Sequence, residues 1–322
     1  MTWVVTGGAG YIGSHVVGAF LEAGMPVAVV DDLSTGRRDF VPEGVPFDTV
    51  DITDTASVAR VLRAHGAVGV VHVAGYKYAG ESVTRPLVAY RTNVQGTASV
   101  LEAMHEAGVE DVVFSSSAAV YGTPEHDRVT EGTPPAPESP YGETKLIGEW
   151  MLADQARATG LRYTSLRYFN VVGSAPGGAP DLSPHNLFPL VFSALERGDR
   201  PRIFGEDYPT PDGTCVRDYV HVVDVARAHV QAALALQTGR RLQPVYNLGS
   251  GDGTSVREII DALLDAAGAD VEPEVRERRA GDPARIVADG ASAQQDLRWE
   301  PGRSVAQMAQ SAWDARRRFS AA

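Results

Sequence analysis

The run Thr6-Gly7-Gly8-Ala9-Gly10-Tyr11-Ile12-Gly13 constrains the fold more than any other stretch of the chain. It follows an apolar, strand-like segment, Trp3 to Thr6, and opens a helix-like one, Ser14 to Ala23. Glycines at 7, 10 and 13 are spaced to give a tight turn, a close backbone approach and a helix contact. A helix N-terminus offers unpaired N–H groups and partial positive charge, and missing side chains let a pyrophosphate come near. Such a turn belongs in a parallel βαβ unit, and the first half of the chain continues in that rhythm. Candidate strands at Val27 to Val30, Val45 to Thr49, Gly69 to Val73, Val112 to Ser115 and Arg162 to Arg167 alternate with helix-like stretches at Thr55 to His65, Asn93 to Ala107 and Tyr141 to Thr159. With right-handed crossovers this predicts an α/β fold, a doubly wound, Rossmann-like parallel sheet.

Beyond Val171 the pattern loosens. Gly173 to Pro184 and Gly205 to Gly213 are Gly/Pro-rich, followed by a helix-like Val222 to Gln237 and a strand-like Pro244 to Leu248. The expected organisation is a dinucleotide-binding domain of residues 1–171 plus about 222–247, and a smaller C-terminal α/β substrate lobe of 172–221 plus 248–322. A chain of 322 residues that is 43% hydrophobic can bury the core this requires.

Charge and composition narrow the function. A net charge of -12 with no Lys/Arg run argues against nucleic acid as a partner. The single cysteine, Cys215, allows no internal disulfide or thiolate metal site, and the eight histidines show no ligand spacing, so no metal is expected. No stretch reaches about 18 uninterrupted apolar residues, so no membrane span is expected. The first ten residues run into a strand and a glycine loop instead of a charged, then apolar leader; the expected address is the cytoplasm.

Asp31-Asp32 closes the second strand, where a carboxylate can accept both hydroxyls of an adenosine ribose and repel a 2′-phosphate. This favours NAD over NADP, although Arg37-Arg38 further on can be argued as a phosphate reader. Asp51-Ile52 can face the adenine or be an ordinary helix-capping loop. Only Lys77 and Lys145 are lysines; the other 27 basic residues are arginines. Of the eleven tyrosines, Tyr141 alone has a lysine four residues later, Lys145, on the same helix face. An adjacent ammonium and a charged nicotinamide would both favour the phenolate, turning an inert hydroxyl into a base. Upstream, Ser115-Ser116-Ser117 ends a strand, where one hydroxyl can meet a reacting sugar oxygen.

The glycine turn, the strand-end serine and the Tyr-Lys pair resemble the extended short-chain dehydrogenase/reductase family. Within it, Thr6 to His15, Asp32 to Gly36, Gly80 to Val83, Ser115 to Gly122, Pro140 to Gly142, Arg167 to Asn170 and Asp207 to Val222 resemble the UDP-glucose/UDP-galactose 4-epimerase branch. The resemblance implies that Gly7, Gly10, Tyr11, Ile12, Gly13, Asp31, Asp32, Ser34, Thr35, Gly36, Asp51 and Ile52 bind NAD. It extends that set to Val73, Ala74, Gly75, Lys77, Asn93, Ser115 and Phe169, with Tyr141 and Lys145. It makes Tyr141 the general base, Lys145 its electrostatic partner and ribose ligand, and Ser117 the hydroxyl beside the sugar O4. Lys77, Tyr168, Asn170, Asn186, Leu187, Phe204, Arg217, Tyr219, Arg279 and Asp282 then line the UDP-sugar pocket with Ser117 and Tyr141, the arginine pair neutralising the diphosphate.

The implied reaction oxidises C4 to a 4-keto sugar, with bound NAD as reversible hydride acceptor, and reduces it from the opposite face. The implied assembly is a homodimer, with Asn93 to Ala107 and Tyr141 to Thr159 as candidate interface helices. Some positions depart from the branch: Ala119 where many members carry Thr, Tyr76 and Tyr78 where smaller residues flank the lysine, and Ile286 where some carry Tyr and others a small residue. Epimerisation of N-acetylated or uronic UDP-sugars therefore stays open, as does a non-catalytic NAD sensor. A 4,6-dehydratase lacks its Asp-Glu pair, because Ala118-Ala119 follows Ser117.

Overall fold

Alternating side chains of the first strands divide their apolar groups between two faces, and both faces are covered. The computed structural model describes residues 1–126, 128–279 and 282–321. Among these, seven parallel strands form the central sheet: β1 (Thr2–Thr6), β2 (Val27–Asp31), β3 (Phe47–Thr49), β4 (Ala67–His72), β5 (Asp111–Ser117), β6 (Arg162–Tyr168) and β7 (Val245–Leu248). Their order is β7-β6-β5-β4-β1-β2-β3, reversing direction of growth at β1, as a doubly wound sheet does. The expected strands all form, with ends shifted by up to two residues; β3 starts at Phe47 and not at Val45, β5 reaches Ser117 and β2 includes Asp31.

Trp3, Val5, Val29 and Val71 face α1 (Tyr11–Glu22) through Val16, Val17 and Phe20. Val4, Ala28, Val30 and Val70 face the other way, onto α2 (Thr55–Ala64) and α3 (Gly96–Ala107). The helix expected from Asn93 is interrupted: Tyr90–Gln95 forms a wide π turn that runs into α3. Such a turn adds a residue to the helical circuit and recurs at functional sites; here it carries Asn93. The long α4 (Pro140–Thr159) follows, capped by Ser139, whose hydroxyl accepts from Gly142 N.

Past Val172 the chain is more regular than its Gly/Pro content suggests. α5 (Leu187–Glu196), α6 (Val222–Gln237), α7 (Val256–Ala267) and α8 (Val305–Ser320) form. α6 covers the sheet beside α1, whereas α5, α7 and α8 bury Phe188, Phe192, Ile259, Ile260, Leu263 and Met308 together. α7 and α8 each begin with a capping box, Ser255 with Glu258 and Ser304 with Gln307. Short strands tie this part to the sheet; Tyr219–His221 pairs with Asn170–Val172 just beyond β6. Among the described residues no helix is long and apolar enough to cross a membrane.

A buried polar network straps β5, β6 and α4. Arg167 grips the Glu149 carboxylate with Nε at 2.8 Å and a second nitrogen, and both side chains are nearly inaccessible, at 5% and 7% exposure. Ser116 donates to the same carboxylate, and Arg167 also donates to the Tyr121 hydroxyl, which in turn donates to Asn247. Removing one partner leaves an uncompensated buried charge. Glu149→Ala is therefore expected to cost about 3–5 kcal/mol of unfolding free energy by urea denaturation, and Glu149→Leu with Arg167→Met markedly less.

Candidate active site

The carboxyl ends of β1 to β6 open into a cleft of about 850 Å³, closed on its far side by residues 170–192 and parts of α8. The glycine turn forms its floor. Gly7 has φ +72°, and a Cβ there would stand 2.6 Å from Ala74 N; one on Gly13 would stand 2.0 Å from Gly7 O. These two positions are glycine because backbone occupies the space. Gly10 caps α1 with no side-chain hydrogen bond, so the first-turn N–H groups are left for a ligand in the cleft, which Gly7, Gly10, Tyr11, Ile12 and Gly13 line.

Asp31 ties this turn to the next loop, accepting from Ala9 N and Leu33 N, both at 2.9 Å. Burial, the larger effect, raises its pKa against those bonds. Asp32 accepts from the backbone and hydroxyl of Ser34. Asp31, Asp32, Ser34, Thr35 and Gly36 all line the cleft, as do Asp51, Ile52, Val73, Ala74, Gly75, Lys77 and Phe169. Asp51 accepts from Thr53 N and Oγ1, while the actual cap of α2 is Asp54. Arg37 pairs with Asp39 and Arg38 stacks on Phe47, and neither lines the cleft. An uncapped helix start beside strand-end carboxylates fits NAD.

Tyr141 and Lys145 emerge from the first turns of α4 on one face. Both are buried, and both line the cleft with Ser117. The Lys145 ammonium donates to Ser115 O at 2.8 Å and lies 5.9 Å from the centroid of the Tyr141 ring. Burial lowers the Lys145 pKa to about 8, opposed by the nearby Glu149 carboxylate. For Tyr141, burial raises the phenol pKa and a hydrogen bond with the Ser117 hydroxyl acts the other way. Burial is the larger of these two effects, and Lys145 is itself desolvated and bonded to a carbonyl.

The three serines part company. Ser115 bonds His229 at 2.8 Å, Ser116 bonds Glu149, and Ser117 reaches the cleft. Two expected NAD contacts lie behind the cleft surface: Ser115, fully buried, and Asn93. Asn93 accepts from Tyr76 N at 2.6 Å and donates to Tyr76 O and Thr144 Oγ1, so it clamps the 74–77 loop.

A second cavity of about 440 Å³ adjoins the first, and Leu187, Arg217 and Tyr219 line both. Phe204, Arg279 and Asp282 line the second, Tyr168, Asn170 and Asn186 the first. The Arg279 guanidinium sits 3.9 Å over the Phe204 ring, and Arg217 donates to Pro283 O at 2.7 Å and to Asp282 at 3.2 Å. Ala119, Tyr76 and Ile286 line the main cleft. So do Arg91 on the π turn, Arg316 on α8 and the loop residues Asp181, Ser183 and His185, none of which a periodicity or motif in the sequence marks as facing a cleft.

The sequence model of the NAD dependent epimerase/dehydratase family matches residues 3–249. The UDP-glucose 4-epimerase of Azospirillum brasilense is 45% identical over 302 residues, covering 92% of this chain and 86% of that protein. That of Corynebacterium glutamicum is 42% identical over 304 residues, covering 94% and 91%. Among solved structures, the UDP-glucose 4-epimerase from Stenotrophomonas maltophila with bound NAD and formylated UDP-arabinopyranose superposes with a TM-score of 0.94 at 39% identity, covering 100% of this chain and 99% of that one. The Brucella ovis enzyme in complex with NAD gives 0.92 at 41%, covering 98% of each.

The buried lysine has a measurable consequence. Above about pH 8 the folded Lys145 loses its proton while the unfolded chain keeps it up to the ordinary value of 10.5, so the unfolded state binds more protons. Stability of the cofactor-free protein is therefore expected to gain about 3 kcal/mol from this group as pH rises through that window. Urea midpoints from pH 7.5 to 10.5 check this, and Lys145→Met should abolish the lysine's share of the rise.

Proposed function

Because the chain belongs to the NAD dependent epimerase/dehydratase family, we propose that it interconverts UDP-glucose and UDP-galactose by inverting C4 of the hexose, with NAD as a resident cofactor. The observation that carries this reading is the placement of Tyr141, Ser117 and Lys145 on one cleft, between a phosphate-binding turn and an arginine-bearing second cavity. The glycine turn would hold the cofactor diphosphate on the α1 N–H groups, with Asp31 or Asp32 on the adenosine ribose. When bound, NAD supplies a reversible two-electron acceptor beside C4.

The remaining work falls to the chain. Tyr141 takes the proton of the 4-hydroxyl as C4 is oxidised and returns it when the keto group is reduced. Ser117 hydrogen-bonds O4 and lowers the phenol pKa, the direction a base needs. Lys145, held by Ser115 O, adds a fixed positive charge beside the phenolate and a donor for the cofactor ribose. Arg217 and Arg279 bind the UDP diphosphate, anchoring the nucleotide while the 4-keto hexose turns over. Inversion needs room for that rotation, and the small Ala119 and mid-sized Ile286 on the cleft wall are consistent with it.

The division into a cofactor part, residues 1–171 plus about 222–247, and a sugar-nucleotide part, 172–221 plus 248–322, is proposed on the same grounds. We also propose a cytoplasmic homodimer. Trp150 on α4 is 58% exposed, and Val83 and Leu87, on short helices against α4, are 62% and 74% exposed, an apolar surface of the kind dimers cover.

Protein purified without added cofactor is expected to carry NAD and to convert UDP-galactose to UDP-glucose on anion-exchange chromatography. Tyr141→Phe should keep NAD and lose roughly 10²- to 10⁴-fold in turnover. Bound NAD with neither hexose changed would overturn the substrate assignment. Light scattering should give a dimer for the parent chain and a monomer for Trp150→Glu.

A further inference from the structure

The two walls of the cleft touch at one aromatic contact that the chemistry above does not use. One wall is the segment after β4, which abuts the glycine turn at Ala74 and is clamped by Asn93 at Tyr76. The other is the loop leading into α5, organised by Asp181, which accepts from Ser183 N and Asn186 Nδ2. From the first wall the Tyr78 ring meets the His185 ring of the second, centroids 5.0 Å apart and planes at 69°. Tyr76 backs Tyr78 at 5.5 Å and 89°, and the Lys77 ammonium lies 5.6 Å from the Tyr78 centroid. Glu81, paired with Arg85 at 2.7 Å, approaches His185 Nε2 at 3.8 Å. Edge-to-face rings attract through their quadrupoles beyond their buried area.

We propose that Tyr78 and His185 form a clasp across the cleft that slows the departure of NAD; this rests on the cofactor reading above. Tyr76, Lys77 and Ala79, which flank Tyr78, line the cleft on one side and Asp181, Ser183 and His185 on the other, so the ring contact joins its two walls. A dinucleotide seated on that turn is held under the bridge and leaves when the rings part. Both anchors lie outside the ring contact, in Asn93 and Asp181, so the walls stay formed when the clasp is removed. His185 is half exposed, with 53% of its side chain accessible, so its truncation takes little from the core.

The test is the rate at which the holoprotein, diluted into an enzymatic trap that consumes free NAD, releases its cofactor. His185→Ala and Tyr78→Ala are each expected to release NAD about tenfold faster. Tyr78→Phe keeps the ring and should keep the parent rate. The double variant should release no faster than either single one, because both remove the same contact. Parent-like rates in His185→Ala, or multiplied effects in the double variant, would overturn the clasp. If Tyr78→Ala does not fold, His185→Ala and Tyr78→Phe decide. A parent protein that holds no NAD would overturn the cofactor reading and the clasp with it; a parent that holds NAD with variants at the parent rate overturns the clasp alone.

Discussion

A line of buried charge beneath the cleft, Lys145, Glu149 and Arg167, organises the rest of the structure. Arg167 neutralises Glu149, and Glu149 opposes the loss of a proton from Lys145, whose pKa burial against that carboxylate brings down to about 8. The line crosses from α4 to β6, and Ser116 and Ser115 O bring β5 into it. Burial disfavours the ammonium at this depth, and the carboxylate one helical turn away favours it. The same turn spacing that puts Glu149 below Lys145 puts Tyr141 above it, at the surface where substrate would arrive. Stability and chemistry are thus built on one helix face, and that couples them.

The ligand requirements are otherwise divided by geometry. The glycine turn would take phosphate on backbone dipoles, which needs no cation, and none of its residues carries one. The second cavity is different: Arg217 and Arg279 supply side-chain charge in a chain whose net charge is -12. Arg217 is held by Pro283 O and Asp282, and Arg279 lies on Phe204, so both guanidinium groups have fixed directions before a ligand arrives. Leu187, Arg217 and Tyr219 belong to both cavities, where a sugar nucleotide would pass from one to the other.

Much of this was legible in the chain. A glycine turn between a strand and a helix, acids at the next strand end and a lone Tyr-Lys pair four apart are local patterns, and their physics is local too. The serine run was legible only as three candidates, because which hydroxyl faces the cleft depends on the pleat and on where β5 ends. Asn93 and Ser115 are buried, with side chains bonded to Tyr76, Thr144 and His229, and a sequence position cannot distinguish a wall from its buttress. Charge proximity at Tyr141 is readable from spacing, whereas its desolvation requires the whole fold. The capping boxes of α7 and α8 were present in the text and passed over under the weight of nearby glycines and prolines. Asp181 and His185 carried no signal at all; they matter through the path of a loop.

The central claim is that a carbon–hydrogen bond at C4 is broken and remade inside the cleft without its hydrogen reaching water. UDP-galactose labelled with deuterium at C4 tests this directly, by mass spectrometry of the UDP-glucose formed in ordinary water. Full retention of the label at C4 is the result the account predicts, because oxidation and reduction pass one hydrogen out and back within a closed site. Loss of the label to solvent would contradict it and would mean that the configuration is inverted by exchange of a proton.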